Sequence, residues 1–330
     1  MAVVRLWSSR HVGPSKSAPT AQKATGTSSP LHSQPMSEPT LREREVLLRL
    51  GCFGDLNAAQ LEDFVTDRST LKPHSRQIAT QRTLQRLKAR GLIAATPRLI
   101  GGPGGGSARV AYHLTPSGHR LMRSLAPQMD RPRPSPRGVM FLEHALMTAD
   151  VAITFITAAR SHPGHAMSEW APDWQAAEQL RSRAVIPDAH FVYATPEWEI
   201  HAFAEVDLGT ESPSRFAQKI TAYLAAYRSG SWRPQLPRWP LVLTVTPTTA
   251  RATALRRATE DALRRDRHPE HVARATEFDF AALPDLRGSH GPLGPIWQIA
   301  GRSGLHPLIP ADDRPEVSQE TTAVTGPDAA

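Results

Sequence analysis

The sequence predicts a mixed α/β (α+β) protein with two folded domains, and three observations support this. The chain has 330 residues, long enough for two domains, and 40% of them are apolar, enough to build hydrophobic cores. A Pro- and Arg-rich segment, residues 126–138, is typical of a linker and separates residues 40–125 from residues 139–301. Both of these longer segments contain helix-like and strand-like patterns of apolar residues.

The two ends of the chain are predicted to be disordered tails. Residues 1–38 are rich in Ser, Thr, Pro and Gln and contain almost no acidic residue, and residues 302–330 are polar. A mitochondrial transit peptide is the alternative for the N-terminal tail, although residues 1–12 show only a weak amphipathic pattern. The single cysteine, Cys52, excludes a disulfide framework and fits a reducing, cytoplasmic location. No apolar run approaches the ~18 residues of a membrane span, so no membrane partner is expected.

Residues 40–125 show the signals of a small helical domain with a hairpin. A capping box at residues 40–43 (TLRE) precedes an amphipathic helix, and residues 57–60 (NAAQ) repeat the signal before a shorter one. A third helix is predicted from about residue 75 to residue 90, ending at Gly91. Two strands then flank a glycine-rich turn, and residues 115–116 (TP) open a last helix. Three helices, a two-stranded hairpin and a closing helix are typical of a winged helix-turn-helix domain.

The third predicted helix is strongly basic and contains no acidic residue. Its basic residues are Arg76, Arg82, Arg86, Lys88 and Arg90. Three of the arginines recur at intervals of four residues and form one stripe, while the leucines of this helix point away from it. The segment 40–125 contains 14 basic and 6 acidic residues, an excess that equals the net charge of +8 of the whole chain. The basic character of the protein is therefore concentrated in this domain.

A basic helix at this position predicts contact with double-stranded DNA, in which the helix lies in the major groove. The alternative is a basic face that only contacts water. In the glycine-rich turn, Arg109 is expected to touch a minor groove or the DNA backbone, unless the turn is only a flexible connection. The sequence leaves the oligomeric state open, and a homodimer is one arrangement that it allows.

The second domain is predicted to contain, in order, a helix, three strands, a helix, a strand and a basic helix. Its first helix follows the linker at residue 139 and is too apolar for a surface position, so we expect it in the core. His144 on that helix is expected to be a core histidine with satisfied hydrogen bonds, and a metal ligand is the alternative. This order of elements is that of a mixed α/β domain.

Three carboxylates are predicted to converge at a hairpin of the second domain. The strands AVIPDAHFVY and WEIHAFAEVDLG, separated by a Thr-Pro-Glu turn, bring Asp188 near Glu205 and Asp207. Because side chains alternate along a strand, Glu205 and Asp207 are expected on one face, and such a group of oxygens suits a hard divalent cation. The helix that follows places Lys219 and Tyr223 one turn apart, on one side.

Several motifs resemble those of the replication-relaxation family of plasmid and mobile-element proteins. They are LREREVLLRL, QRTLQRLKARGLI, YHLTPSGHRLM, EHALMTADV, Pro187-Asp188, EVDLGTES and the helix with Lys219 and Tyr223, and they extend over about residues 40–265. Each motif is weak by itself, but the combination is fairly specific. The resemblance implies a role in plasmid replication and in the relaxation of plasmid DNA.

The second domain also resembles the core of restriction endonucleases, whose motif is a Pro-Asp pair followed by Glu-x-Lys on the next strand. Pro187-Asp188 and Glu205 match this motif, whereas Asp207 stands where the lysine is expected. Lys219 would supply the amine from the following helix. The resemblance implies an alternative function, a DNA nicking endonuclease that uses Mg²⁺ or Mn²⁺. In it, the three carboxylates hold the metal and Lys219 steadies the pentavalent phosphate.

Two further interpretations of the second domain stay open. In one, the domain is an inactive scaffold whose carboxylates are hydrogen-bonded to their neighbours. In the other, Tyr223 and Tyr227 lie four residues apart on one helix and act as nucleophiles of the rolling-circle type. The sequence lacks the His-hydrophobic-His motif that such enzymes need, so we expect Tyr223 to be a packing residue. The function that the sequence predicts first is DNA binding through the winged helix.

Overall fold

A computed structural model of the chain describes residues 38–66, 72–96, 110–129, 139–182, 184–266, 268, 274–275 and 277–308. The chain divides into two compact units between Pro132 and Arg133. We name them the N-terminal unit and the C-terminal unit. Most of both predicted tails, most of the predicted linker, and the predicted glycine-rich turn with Arg109 lie outside the described residues.

The N-terminal unit combines helices with a small antiparallel sheet. Its elements are α1 (Leu41–Phe53), β1 (Leu56–Asn57), α2 (Ala58–Val65), α3 (Pro73–Ala89), β2 (Ile93–Ala95), β3 (Ala111–Leu114), α4 (Pro116–Leu125) and a 3₁₀ turn (Pro127–Met129). The strands pair in the order β1-β3-β2, antiparallel throughout. The predicted order of three helices, two strands and a closing helix is confirmed. The sequence did not reveal the two-residue strand β1, which is too short to show an alternating pattern.

Both predicted capping boxes are confirmed. At the start of α1, the Thr40 hydroxyl accepts a hydrogen bond from the backbone N–H of Glu43, and the Thr40 N–H donates to the Glu43 carboxylate at 2.9 Å. At the start of α2, Asn57 and Gln60 exchange the same two bonds, each 3.0 Å long. In each box, two side-chain oxygens accept hydrogen bonds from two backbone N–H groups that the helix end would otherwise leave unpaired.

Helix α3 begins at Pro73, two residues before the predicted start, because proline is tolerated in the first turn of a helix. It ends at Ala89, and the predicted glycine, Gly91, lies two residues later, just after the C-cap Arg90. The Leu92 N–H donates to the Leu87 carbonyl at 3.0 Å, and the Gly91 N–H donates to the Lys88 carbonyl at 2.9 Å. This pair of bonds is a Schellman motif, and it requires the positive φ of 65° that Gly91 adopts without strain.

The core of the N-terminal unit is built from apolar side chains of all four helices and the hairpin. It includes Val46, Leu47 and Leu50 of α1, Leu61 and Phe64 of α2, Leu84 and Leu87 of α3, Leu92, and Met122 of α4. Helix α4 approaches the end of α3 very closely at Gly118. A Cβ added to Gly118 would lie 2.0 Å from the Leu92 carbonyl oxygen, so a side chain cannot be accommodated there without a shift.

The C-terminal unit is a six-stranded mixed sheet with helices. Its elements are α5 (Val139–Ser161), β4 (Ala166–Pro172), α6 (Asp173–Leu180), β5 (Ala189–Ala194), β6 (Glu199–Val206), α7 (Pro213–Ser229), β7 (Leu241–Thr246), α8 (Thr249–Arg265), β8 (Phe278–Ala282), α9 (Leu283–Leu286) and β9 (Gln298–Ile299). The strands lie in the order β4-β5-β6-β7-β8-β9. Strand β5 is antiparallel to both of its neighbours, β4 and β6; β6, β7 and β8 are parallel, and β9 is antiparallel to β8.

The predicted elements of this unit are present, and four others were missed. The helix α6, the strand β8, the short helix α9 and the strand β9 did not stand out as periodic patterns. Strand β5 begins at Ala189, later than predicted, so that Asp188 lies just before it. Strand β6 ends at Val206, so that Asp207 lies just after it. The ends of these two strands therefore decide where the Asp188 and Asp207 carboxylates lie.

Helix α5 packs against β4, β6 and α9. Its Phe155 ring contacts the Phe191 ring of β5, with ring centroids 4.7 Å apart. By length and composition alone, residues Met140–Ser161 are apolar enough to cross a membrane, and half of the most apolar stretch is buried within the protein. The prediction that this helix belongs to the core is therefore confirmed for its central part, while Met140 and Phe141 at its start are exposed.

Helices α7 and α8 bury a second apolar layer against β6 and β8. Phe203 of β6 contacts Tyr223 of α7 at a ring-centroid distance of 5.8 Å, and Phe216 of α7 contacts Phe280 of β8. Because side chains alternate along a strand, Glu205 lies on the same face of β6 as Phe203 and therefore also meets α7. The packing of α7 on the sheet thus decides what surrounds the Glu205 carboxylate.

Candidate nucleic-acid interface and carboxylate site

Two arginines of the predicted DNA-contacting stripe form ion pairs with helix α1. The Arg86 Nε donates to the Glu43 Oε1 at 3.0 Å, and the Arg90 Nη1 donates to the Glu43 Oε2 at 3.3 Å. Glu43 is buried, and burial alone would raise the pKa of its carboxyl. The hydrogen bonds from Thr40 and Arg86 outweigh burial and hold that pKa below its usual range. Glu43 therefore caps α1 and also ties α3 to it.

A third basic residue, Arg76, ties α3 to α2. Its Nε lies 3.2 Å from the Glu62 Oε1, and only 13% of the Arg76 side chain is exposed. Arg76 and Arg90 were both predicted to contact DNA. Instead of pointing freely into solvent, they contribute to the packing of the helices, and a direct role in DNA binding stays a prediction for them.

The outward face of α3 is formed by other residues. Arg82 and Lys88 are exposed and have no ion-pair partner within the described part of the chain. Arg86 keeps 54% of its side chain exposed despite its ion pair. Ile78, which fits neither face of the predicted helix, is 36% exposed. Exposed Gln81 and Gln85 lie on the same side of the helix. This face combines cations, amides and one apolar side chain.

In the C-terminal unit, the β5–β6 hairpin brings Asp188 next to Glu205 and Val206. Ala189 pairs with Ala204 across the hairpin, and the Asp188 N–H donates to the Ala204 carbonyl at 3.1 Å. The Asp188 Oδ2 accepts a hydrogen bond of 2.7 Å from the Val206 N–H. One predicted carboxylate thus terminates the hairpin and lies beside the strand that carries the second.

Glu205 is almost fully buried, and its two carboxylate oxygens have different partners. The Lys219 Nζ donates to Oε2 at 2.6 Å, and the Tyr223 hydroxyl donates to Oε1. Burial raises the pKa of Glu205 to about 7, and the negative charge of Asp188 adds to this shift, while Lys219 and Tyr223 oppose it. For Lys219, burial lowers the pKa, but the charges of Glu205 and Asp188 outweigh burial and raise it. Glu205 and Lys219 therefore form an ion pair in which the carboxylate is buried and 30% of the lysine side chain is exposed.

Tyr223 is fully buried, and its hydroxyl donates a hydrogen bond to the Glu205 carboxylate. Burial and the Glu205 carboxylate both raise the pKa of its hydroxyl well above the usual value. A hydroxyl that is buried and holds its proton this firmly is a poor nucleophile toward DNA. These contacts argue against the rolling-circle interpretation, in which Tyr223 would act as a nucleophile. The expectation that Tyr223 is a packing residue is confirmed.

His144 of α5 contacts the Asp188 carboxylate directly. Its Nε2 lies 3.2 Å from the Asp188 Oδ2 and 3.0 Å from the Val206 carbonyl oxygen. Both neighbours are hydrogen-bond acceptors, so Nε2 must carry the proton. Burial lowers the pKa of His144, but the hydrogen bond and charge of Asp188 outweigh it and raise the pKa. The expectation of an ordinary core histidine was incomplete, because this ring is one-third exposed and bound to a site residue.

Asp207 does not join the other two carboxylates in a shared group. The Arg251 side chain binds it through two nitrogens, with Nε 2.7 Å from Oδ2 and Nη2 2.9 Å from Oδ1. Arg251 also donates to the Glu211 carbonyl. Asp207 was predicted to lie on the same face of the strand as Glu205. This prediction was wrong because β6 ends at Val206, so the backbone at Asp207 is no longer in the strand. Arg251 was missed because nothing in the sequence near Asp207 points to a residue at the start of α8.

The three carboxylates do not fit a Mg²⁺ or Mn²⁺ site as they are arranged. Within the described residues, no group of three or more His, Cys, Asp or Glu side chains could hold a metal ion. The oxygens that a metal would need are bound by other donors. Glu205 is bound by Lys219, Asp188 by His144, and Asp207 by Arg251 as described above. We therefore derive no catalytic step through a metal.

Comparisons with known proteins give one informative match. No curated protein matches the sequence. The solved structure of Bacillus subtilis PadR in complex with operator DNA is matched at 13% sequence identity, over 71% of this chain and 94% of that chain. The TM-score of 0.22 is too low to support an argument about fold or function. The family described as replication-relaxation matches residues 47–242, more than half of the chain. The protein therefore belongs to the replication-relaxation family.

Proposed function

We propose that the protein binds double-stranded DNA through its N-terminal unit, as a winged helix-turn-helix domain, and acts in the replication or relaxation of plasmid or mobile-element DNA. The family membership supports the biological role. The order of elements supports the domain type, because three helices and a hairpin that closes on β1 match the winged-helix arrangement. Homodimer formation and a cytoplasmic location stay predictions.

The outward face of α3 is the observation that carries this proposal. Arg82 and Lys88 can neutralise phosphates, and Gln81 and Gln85 can form paired hydrogen bonds with adenine in the major groove. The ion pairs of Arg76 and Arg90 hold α3 against α1 and α2, so that this face is presented by a rigid helix. The arginines that hold the helix and those that meet DNA are thus different residues.

A salt titration with matched arginine variants tests the proposal. Each phosphate contact contributes about 0.9 to the slope of log affinity against log salt. We expect Arg82→Ala to lower that slope by about 0.9 without changing the melting temperature, because no described residue pairs with Arg82. The matched control is Arg76→Ala, which should lower the melting temperature because it leaves Glu62 unpaired. An Arg82→Ala protein with full affinity and an unchanged slope would remove α3 from the interface.

Metal-dependent DNA nicking is the second candidate function, and one observation favours it. The hairpin and α7 bring Asp188, Glu205 and Lys219 together, as the resemblance to restriction endonucleases implies. The occupied oxygens argue against it, so we propose that the restriction-endonuclease-like unit is a scaffold without robust cleavage. Incubation of supercoiled plasmid with the protein and Mg²⁺ or Mn²⁺ tests this. Open circles that disappear in Asp188→Ala would establish the nicking function instead.

A further inference from the structure

A cavity lies at the end of β6 opposite to Glu205. Its volume is about 240 Å³, and its aromatic wall consists of Tyr227, Trp232 and Trp239. The rings contact one another, with centroids 5.3 Å apart for Tyr227 and Trp239 and 5.4 Å apart for Trp232 and Trp239. Six residues of extended strand separate the lining residue Glu199 from Glu205, a distance of about 20 Å. The cavity is therefore distinct from the carboxylate site.

Among the described residues, the charged side chains that line this cavity balance one another. Two carboxylates, Glu199 and Glu277, are balanced by two guanidinium groups, Arg238 and Arg274. Arg274 forms an ion pair with Glu277, and its guanidinium lies over the Tyr227 ring, 3.4 Å from the centroid. A neutral lining favours neither a free phosphate nor an isolated cation, because either would leave an uncompensated charge in a partly buried place.

Two side chains of β6 add hydrogen-bonding groups to this lining. The His201 Nε2 lies 2.8 Å from the Glu199 Oε1, and half of the Glu199 side chain is exposed, so its carboxylate can accept a further hydrogen bond. A ligand that suits an aromatic wall and a neutral lining with such groups is flat, neutral and polar at its edge.

We propose that this cavity binds a single nucleobase. The volume is below the range of about 300–1,000 Å³ that is usual for larger ligands, so one ring system fits better than a dinucleotide. Tyr227 and Trp232 stack on each other, and Arg274 and Arg233 lie over these two rings, so the partly exposed Trp239 is the ring on which a base can stack. Glu199 and Arg238 provide an acceptor and donors for the edge of the base. The exposed Arg233 lies 5.8 Å from the Trp232 ring centroid, where it can meet the phosphates of a single strand.

The base can come from single-stranded DNA or from a free nucleoside, and fluorescence titrations of the full-length protein separate the two. The probes are deoxyadenosine, deoxyguanosine, a 12-nucleotide single strand of mixed sequence and the corresponding duplex. We expect the single strand and the nucleosides to quench tryptophan fluorescence. Quenching by the strand should weaken as salt increases, whereas quenching by nucleosides should not, because only the strand carries phosphates. Quenching by nucleosides alone would assign the site to a free nucleoside.

Three variants locate the binding. Trp239→Ala should weaken binding of the single strand by about 5- to 150-fold, the range expected for one lost stacking contact. Because this change could unfold the unit, Trp239→Phe keeps an aromatic ring and should reduce the quenching signal while the melting temperature is retained. Arg238→Ala should weaken binding of the strand, and Arg257→Ala, an exposed arginine on α8 outside the cavity, is the matched control.

Two outcomes would overturn the proposal. In the first, neither the nucleosides nor the single strand changes the tryptophan fluorescence of the wild-type protein. In the second, Arg238→Ala and Arg257→Ala weaken binding of the strand equally, so that only the overall charge matters. Neither outcome bears on duplex binding by α3, because Arg82→Ala tests that function separately. The nucleobase proposal therefore does not depend on the winged-helix proposal.

Discussion

We expect the ion pair between Lys219 and the buried Glu205 to stabilise the C-terminal unit by an amount that depends on pH. Replacing Lys219 by Met removes the ammonium group 2.6 Å from the Glu205 carboxylate and keeps a side chain of similar length. In the native protein the pKa of Glu205 is about 7 against an ordinary value of 4.5, a difference that corresponds to about 3 kcal/mol against the ionised form. Without Lys219 the pKa of Glu205 rises further, because no ammonium group stabilises the ionised carboxylate against burial.

The magnitude depends on pH, and its sign follows from proton uptake. A carboxyl whose pKa is higher in the folded state binds a proton on folding, so the free energy of unfolding falls as pH rises between the two pKa values. For the native protein that window runs from about 4.5 to about 7. In Lys219→Met the pKa is higher still, so the window extends above 7. We expect a small loss of stability at pH 5.5 and a loss of about 3–5 kcal/mol at pH 8, typical of a broken buried pair.

Urea unfolding followed by tryptophan fluorescence measures this loss of stability in the C-terminal unit. Six of the seven tryptophans of the chain lie in the C-terminal unit, so the signal reports on the unit that contains the pair. Unfolding curves of the native protein and of Lys219→Met are compared at pH 5.5 and pH 8. Lys88→Met is the matched control, since Lys88 is exposed on α3 in the other unit and should leave this transition unchanged.

Two results would contradict the predicted pH dependence of the Lys219→Met variant. If Lys219→Met loses the same free energy at both pH values, the ammonium does not control the protonation of Glu205. If the loss at pH 8 is below about 1 kcal/mol, the pair behaves as a surface ion pair, and Glu205 is not as isolated from water as the structure shows.

Two further predictions concern the remaining carboxylate contacts. With Mg²⁺ or Mn²⁺ up to millimolar concentration, the melting temperature is expected to stay constant, because His144, Lys219 and Arg251 already bind the carboxylates. A rise that Glu205→Gln abolishes would establish a metal site. Arg251→Met should cost about 3 kcal/mol in urea unfolding, because it leaves the buried Asp207 carboxylate without a cationic partner and with only the Gly209 N–H as donor. An unchanged unfolding curve would mean that the remaining donors are enough to stabilise the Asp207 carboxylate.

The local features of this protein follow from its amino-acid sequence alone. The capping boxes at Thr40 and Asn57, the helix end at Gly91 and most of the larger helices and strands could be predicted, because each depends on contacts between residues close in the chain. The closeness of Asp188 and Glu205 could also be predicted, because a short turn sets the register of a hairpin. Family motifs add to this, since they are local strings of residues.

The partners of the charged side chains were decided only by the tertiary structure. Arg86 meets Glu43 across 43 positions of sequence, Arg251 meets Asp207 across 44, and His144 meets Val206 across 62. No periodic pattern encodes such pairs, because they arise when helices pack on each other or on the sheet. A long charged side chain then takes the nearest buried partner, since an unpaired buried charge is costly. For this reason, some arginines of the predicted DNA-contacting stripe form ion pairs between helices instead. For the same reason, the three carboxylates that were predicted to share a metal each bind a different basic side chain.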